Sequence, residues 1–277
     1  MRGRRVSRAV LPPAGFLEIG GARLEYRLWG PQPADAPCLA LLHEGLGSVG
    51  LWGDFPQRLQ AATGASVFAY SRVGYGASTP AALPRPPHYM HNEALNVLPR
   101  VLEAIGFRRG LLIGHSDGAS IAALYAGGVQ DHRVPGLALI APHFVVEDIS
   151  ISGIESARAA YASGGLRAKL ARRHADVDNA FCGWNDVWLS PGFRDWDISQ
   201  CLSTIRVPVQ IVQGSLDPYG SARQIEIAQA ECTCPVEAVM LQGIGHAPHR
   251  EAPEATLAAV AGFINHLLVT HGEGRPL

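Results

Sequence analysis

Short, largely apolar runs alternate along the chain with longer stretches whose apolar residues recur every three or four positions. The runs are Cys38-Leu-Ala-Leu-Leu42, Ser66-Val-Phe-Ala-Tyr70, Leu111-Leu112-Ile113, Leu137-Ala-Leu-Ile140, Val207-Pro-Val-Gln-Ile-Val212 and Val236–Leu241. A strand that is apolar at every position is one covered on both faces, as in a parallel sheet flanked by helices. Between the runs, 52–63 carries Phe55, Leu59 and Ala62 at helical spacing. The stretch 91–105 carries Leu95, Leu98, Leu102 and Ile105, with Pro99 placed to kink it. Helices are also predicted over 221–230 and, as a final amphipathic element, over 251–269. Ahead of the first run, 16–29 alternates around Gly20-Gly21, the pattern of a hairpin. The proline-bounded stretches 31–37 and 80–87 are loops. Strands alternating with helices predict an α/β chain with a mostly parallel central sheet and helices on both faces.

The rhythm breaks over 145–205. Arg158, Tyr161, Arg167, Lys169, Arg172 and Arg173 are followed by Phe181, Trp184, Trp188, Phe193 and Trp196, with no buried-strand run among them. This reads as a helical insertion dividing a core of 15–144 and 206–277. Arg172-Arg173 fits a solvated face, and the tryptophans fit packing or a pocket wall. No internal repeat is visible. The basic start (Arg2, Arg4, Arg5, Arg8) has too short an apolar stretch for a signal core, so 1–14 reads as a disordered leader.

Composition narrows the function classes. With 277 residues and 47% apolar content, the chain can bury one large core. A formal net charge of -1 gives no field to draw nucleic acid. No run is long enough to span a membrane. Cys38, Cys182, Cys201, Cys232 and Cys234 are odd in number and irregular in spacing, which suits free thiols in a reducing cytoplasm. Nothing in their spacing, or in that of the histidines, suggests a metal site, and no cofactor is expected.

The chemistry gathers at Gly110-Leu111-Leu112-Ile113-Gly114-His115-Ser116-Asp117-Gly118-Ala119-Ser120. An apolar run ends in Gly-x-Ser-x-Gly, and an alanine-rich helical stretch follows. A serine hydroxyl is a weak nucleophile unless a base takes its proton, so a sharp strand-to-helix turn must thrust it out of the backbone. Gly114 and Gly118 remove side chains that would collide across such a bend. The base needs a group to orient it. Asp217 sits just past one apolar run and His246 just past the last, both at the carboxyl ends of predicted strands, on the same sheet edge as Ser116. Asp148 is a fallback acid and His249 a fallback base. His43 and His115 read as structural, packing or bonding to backbone.

From these matches the chain resembles the α/β-hydrolase family over nearly its whole length. They are the Gly114-His-Ser116-Asp-Gly118 elbow, Asp217 after the next-to-last strand, His246 after the last, His43 opening an early loop, and Gly74-Tyr-Gly76-Ala-Ser78. The resemblance implies Ser116 as nucleophile, His246 as general base and acid, Asp217 as orienting carboxylate and 145–205 as a cap. It implies an oxyanion hole from the backbone N–H of Asp117 and, in the loop His43-Glu44-Gly45-Leu46-Gly47, of Gly45. Glu44 stands where the family usually has glycine. Its carboxylate must turn to a partner or touch substrate. Glu44, Trp184, Trp188 and Tyr219 are the candidate substrate contacts. The expected activity is hydrolysis of a small carboxylic ester or lactone, with cleavage of a carbon–carbon bond in a vinylogous diketone as the alternative.

Two readings from other classes compete. Gly45-Leu-Gly47-Ser-Val-Gly50 follows a strand like a dinucleotide fingerprint. Ser71-Arg72 ends the next strand, where Arg72 could meet the 2′-phosphate of NADP. That reading leaves the serine elbow and both its partners unexplained. A binding protein that keeps the fold without turnover is the other; the complete triad argues against it.

Overall fold

The structure is a computed structural model of the protein and describes residues 10–272. Most of the leader therefore lies outside the described residues. Residues 10–13 are described: Leu11 exchanges hydrogen bonds with the Gln32 side chain, and the Pro13 carbonyl accepts from Leu28 N–H.

Strands β1 (Ala14–Ile19) and β2 (Ala22–Trp29) form the hairpin, turning at Gly20 and Gly21 with φ of 60° and 84°. Then come β3 (Cys38–Leu42), α1 (Phe55–Thr63), β4 (Ser66–Tyr70), α2 (Tyr89–Asn92), α3 (Leu98–Ala104), β5 (Leu112–His115), α4 (Asp117–Val129) and β6 (Leu137–Ile140). The helices α5 (Asp148–Ala162), α6 (Gly165–Leu170) and α7 (Val177–Trp188) follow. The chain closes with β7 (Val209–Gly214), α8 (Arg223–Glu231), β8 (Val236–Leu241), α9 (Pro248–Glu251) and α10 (Pro253–Gly272). The strands make one sheet in the order β1-β2-β4-β3-β5-β6-β7-β8. The pairs β1–β2 and β2–β4 are antiparallel, and every other pair is parallel.

The apolar runs are explained by two cores, one on each face. In β3, Leu39 and Leu41 pack on the α1 and α10 side with Phe55, Leu59, Val260 and Ile264. Cys38, Ala40 and Leu42 pack on the other side with Val101, Ile121 and Ile225 of α3, α4 and α8. Polar residues would be stranded at either set of positions.

Two helices differ from their sequence pattern. The stretch expected over 91–105 contains a π-helical turn at Glu93–Val97. The wider turn rotates the apolar stripe, so Leu95 faces solvent while Leu98 and Leu102 stay buried. Glu93 turns inward instead and accepts from the Tyr70 hydroxyl at 2.7 Å. The closing helix is broken at Ala252 (φ -134°, ψ 63°), because the residue ahead of Pro253 is pushed out of the helical region.

Helices α5–α7 lie between β6 and β7, and the ends of this segment are pinned together. Val145 bridges Asp197, and Ile198 N–H donates to Phe144 O at 2.8 Å. The return through 199–204 then lies against α4, where Thr204 Oγ1 donates to Gly127 O at 3.0 Å. Trp188, Phe193 and Trp196 form a ring cluster beneath the segment. Among the described residues no helix is long and apolar enough to cross a membrane.

Candidate active site

The elbow forms where β5 gives way to α4. Ser116 has φ 53° and ψ -120°, a conformation that L-residues other than glycine rarely adopt. Its N–H donates to Ile140 O at 2.9 Å, and its carbonyl accepts from Ala119 and Ser120 N–H. These bonds hold the turn while the side chain stands free. A Cβ on Gly118 would lie 1.9 Å from Leu42 O, and one on Gly114 would lie 2.3 Å from Gly118 O. Only glycine permits so close an approach of α4 to the sheet.

Asp217 follows β7 and is buried. Its Oδ2 accepts from His246 Nδ1 at 2.7 Å and from Gln213 Nε2 at 2.8 Å, and its Oδ1 accepts from Tyr219 N–H at 2.8 Å. Burial acts to raise this carboxyl. The hydrogen bond and charge of His246, with the Tyr219 N–H, outweigh it and hold the group below its usual range. With Nδ1 donating to the carboxylate, the His246 Nε2 is left as the acceptor. Ser116 and His246 line one cavity of about 530 Å³. Among the described residues the Ser116 hydroxyl forms no hydrogen bond. The geometry therefore brings serine and imidazole to the same cavity wall and joins imidazole to carboxylate directly.

The loop after β3 is held by groups that sequence alone did not assign to it. His43 Nδ1 donates to Glu44 O at 2.7 Å, and its Nε2 accepts from Arg72 N–H at 3.0 Å. The Arg72 guanidinium donates to the carbonyls of His43 and Glu44 and lies 3.8 Å from the Asp117 carboxylate. Arg72 is thus buried and committed, and it is not presented to the 2′-phosphate of a dinucleotide. Its place at the end of β4 was the signal that it belonged to this rim. Asp117 begins α4, where a helical N–H has no partner within the helix, and its side chain accepts from the Tyr89 hydroxyl. Gly45 lines the cavity, and a Cβ there would lie 2.2 Å from the Trp184 ring.

Glu44 turns to a partner. Its Oε2 lies 3.4 Å from His115 Nδ1, while His115 Nε2 donates to the His246 carbonyl at 2.7 Å. Burial works to raise the Glu44 carboxyl. The facing His115 ring outweighs burial and keeps the group well below the ordinary carboxylate range.

Glu44, Trp184, Trp188 and Tyr219 all line the cavity, with Leu46, Leu51, Ile154, Leu166 and Leu170 as apolar wall. Tyr219 lies beside His246, its ring 4.7 Å from that of the histidine. His143, at the end of β6, also lines the cavity with its ring 5.7 Å from His246. Sequence reasoning passed over it, although its place after a strand marked the same rim. The fallback groups lie elsewhere. Asp148 is exposed and paired with Arg194. His249 is buried in α9 against Trp52, Phe55 and His115.

Three buried rings make stability depend on pH. Burial, and then the Arg72 charge, push His43 well below its ordinary value of 6.5. Burial, and then neighbouring rings, lower His143 to about 3 and His249 well below 6.5. Below pH 6.5 the unfolded chain takes up protons that these folded rings refuse, so stability is full above that pH and falls as the pH drops. Each ring contributes up to about 1.4 kcal/mol per pH unit in that range. Urea midpoints are expected to fall steeply between pH 6.5 and 5, well above the range where carboxylates titrate. A flat profile there would contradict the neutral, buried state of these rings.

Comparison with known proteins agrees with this architecture. Residues 39–260 match the family model described as Alpha/beta hydrolase family. A human (lyso)-N-acylphosphatidylethanolamine lipase is 30% identical over 112 residues, which is 40% of this chain and 32% of that protein. The match thus spans about a third of that relative's length. A membrane phospholipase A described as a bacterial virulence factor superposes with a TM-score of 0.73 at 20% identity, over 92% of this chain and 86% of that one. The enol-lactonase of Burkholderia xenovorans LB400 gives 0.71 at 18% identity, over 90% and 99%.

Proposed function

The chain belongs to the α/β-hydrolase family, and from that premise we propose that it hydrolyses a small carboxylic ester or lactone through an acyl-enzyme on Ser116. The observation that carries this reading is the Asp217–His246 bond at 2.7 Å, leading to a ring that shares a cavity with a strained serine. Substrate entering the cavity excludes water and brings the Ser116 hydroxyl to His246 Nε2; such bonds are commonly long before substrate binds. As Ser116 Oγ attacks the carbonyl carbon, its proton passes to Nε2. Asp217 steadies the resulting imidazolium without taking the proton. The N–H groups of Asp117 and Gly45 donate to the oxyanion, each such donor supporting roughly 3 kcal/mol of transition-state stabilisation. His246 returns its proton to the leaving alkoxide, then takes one from water; the hydroxide attacks the acyl carbon, and His246 gives that proton to the departing Ser116 Oγ as the acid is released.

In this reading α5–α7 form a cap. Trp184 against Gly45, and Trp188 and Tyr219 beside them, set how much acyl chain fits. The relatives named as lipase, phospholipase and lactonase all cleave acyl–oxygen bonds, which supports the ester class. The test is labelling with a fluorophosphonate probe, followed by a panel of 4-nitrophenyl esters, lactones and a vinylogous dienoate diketone. Labelling of the wild type but not of Ser116→Ala, with turnover of esters or lactones, is the expected result. Equal labelling of both proteins would remove the nucleophile, and turnover of the diketone alone would move the activity to carbon–carbon cleavage.

A further inference from the structure

Lys169 is the only lysine in the chain; the other 22 of its 23 basic residues are arginines. That lysine lines the cavity of Ser116, at the end of α6. Arg250, one turn beyond His246 in α9, lines it too. Among the described residues neither side chain forms an ion pair or a hydrogen bond. Arg172 and Arg173, close to Lys169 in sequence, are likewise unpaired among the described residues but do not line the cavity. Arg158, Arg167 and Arg194 of the same helical segment are paired with Asp186, Asp178 and Asp148.

The carboxylates of the cavity wall are already committed. Glu251 accepts from Gly245 and Ala247 N–H at 2.8 and 2.9 Å, and Glu44 faces His115. The remaining wall is largely apolar; its other polar groups include Ser116, His246, His115, His143, Tyr219 and Ser150, whose hydroxyl donates to Tyr219 O. The cavity therefore offers two free positive charges and no free negative one. An ammonium is a compact charge on a flexible stem, and a guanidinium is a planar fork suited to two oxygens. Together they match an oxyanion that can shift position, beside an apolar wall that suits a short hydrocarbon.

We propose that Lys169 and Arg250 bind an anionic group, a carboxylate or a phosphate, on the part of the substrate remote from the scissile carbonyl. This rests on the hydrolase reading above and narrows its substrate class to acidic esters or lactones.

The test compares matched esters. 4-Nitrophenyl hexanoate is set against 4-nitrophenyl hydrogen adipate, and the 4-nitrophenyl ester of 6-hydroxyhexanoate against its 6-phosphate. The expected kcat/KM is about tenfold higher for the anionic member of at least one pair, falling with added salt. Which pair shows it separates carboxylate from phosphate. The anionic-to-neutral ratio should collapse in Lys169→Met and Arg250→Met, invert in Lys169→Glu and persist in Lys169→Arg. No preference in the wild type, or one that survives both methionine variants, overturns the proposal.

A second readout is independent of turnover. Reductive methylation with ¹³C-formaldehyde preserves the charge and gives Lys169 the only lysine signal in the NMR spectrum. That signal, absent in Lys169→Met, should shift saturably with hexyl phosphate or hexanoate and not with 1-hexanol. A shift without turnover of any ester would remove the hydrolase reading and leave the anion site standing. No shift with either anion removes the anion site.

Discussion

Replacing Ser116 by alanine is expected to lower kcat by roughly 10⁴ to 10⁶, with the residual rate supplied by the oxyanion donors and binding. The serine hydroxyl makes no hydrogen bond among the described residues, so its removal leaves the fold's bonds intact. The backbone of residue 116 keeps its contacts to Ile140, Ala119 and Ser120. Alanine inherits the same strained φ of 53°, so the melting temperature should match the wild type. Glycine relieves that strain, and Ser116→Gly should be as inactive yet more stable by about 1 kcal/mol. Steady-state turnover of the best ester and thermal melting of the three proteins test both halves. An alanine variant retaining a tenth of the wild-type rate would contradict the assignment.

Asp217→Asn should cost about 10⁴ in kcat. Three donors converge on this carboxylate: His246 Nδ1 and Gln213 Nε2 on one oxygen, Tyr219 N–H on the other. Asparagine has one acceptor oxygen. If its amide group faces His246 and Gln213, the ring must turn its bare Nδ1 inward and carry its proton on Nε2, where it cannot accept from serine. If the amide faces Tyr219 N–H, two donors oppose each other in a buried site, which costs stability. The variant should therefore lose activity, lose stability, or both. A wild-type kcat in a fully stable Asp217→Asn would show that the orienting carboxylate lies elsewhere.

The sheet and its rim were readable because a doubly covered strand must be largely apolar, and because each such run here ends abruptly. The ends of those runs alone put Ser116, Asp217 and His246 on one edge of the sheet. What was hidden depends on side-chain direction across long separations. The π-helical turn that exposes Leu95 leaves no apolar period to read, since it is a local change of register. The break at Ala252 was legible in principle from Pro253, but the amphipathic pattern runs through it. Glu44 was recognisable as an oddity, while its partner lay inside the elbow itself, at His115, next to Ser116. Arg72 offered a plausible phosphate contact by sequence. Only the fold shows it spent on the carbonyls of His43 and Glu44, holding the loop that presents Gly45.

Hydrolysis through an acyl-enzyme requires a covalent intermediate on one hydroxyl. Mixing the enzyme with a saturating 4-nitrophenyl ester and quenching in acid within the first turnover should yield protein heavier by one acyl group. Peptide mass spectrometry should place that group on Ser116. Ongoing turnover with no acylated protein at any quench time, or with the acyl group on another residue, would contradict the account.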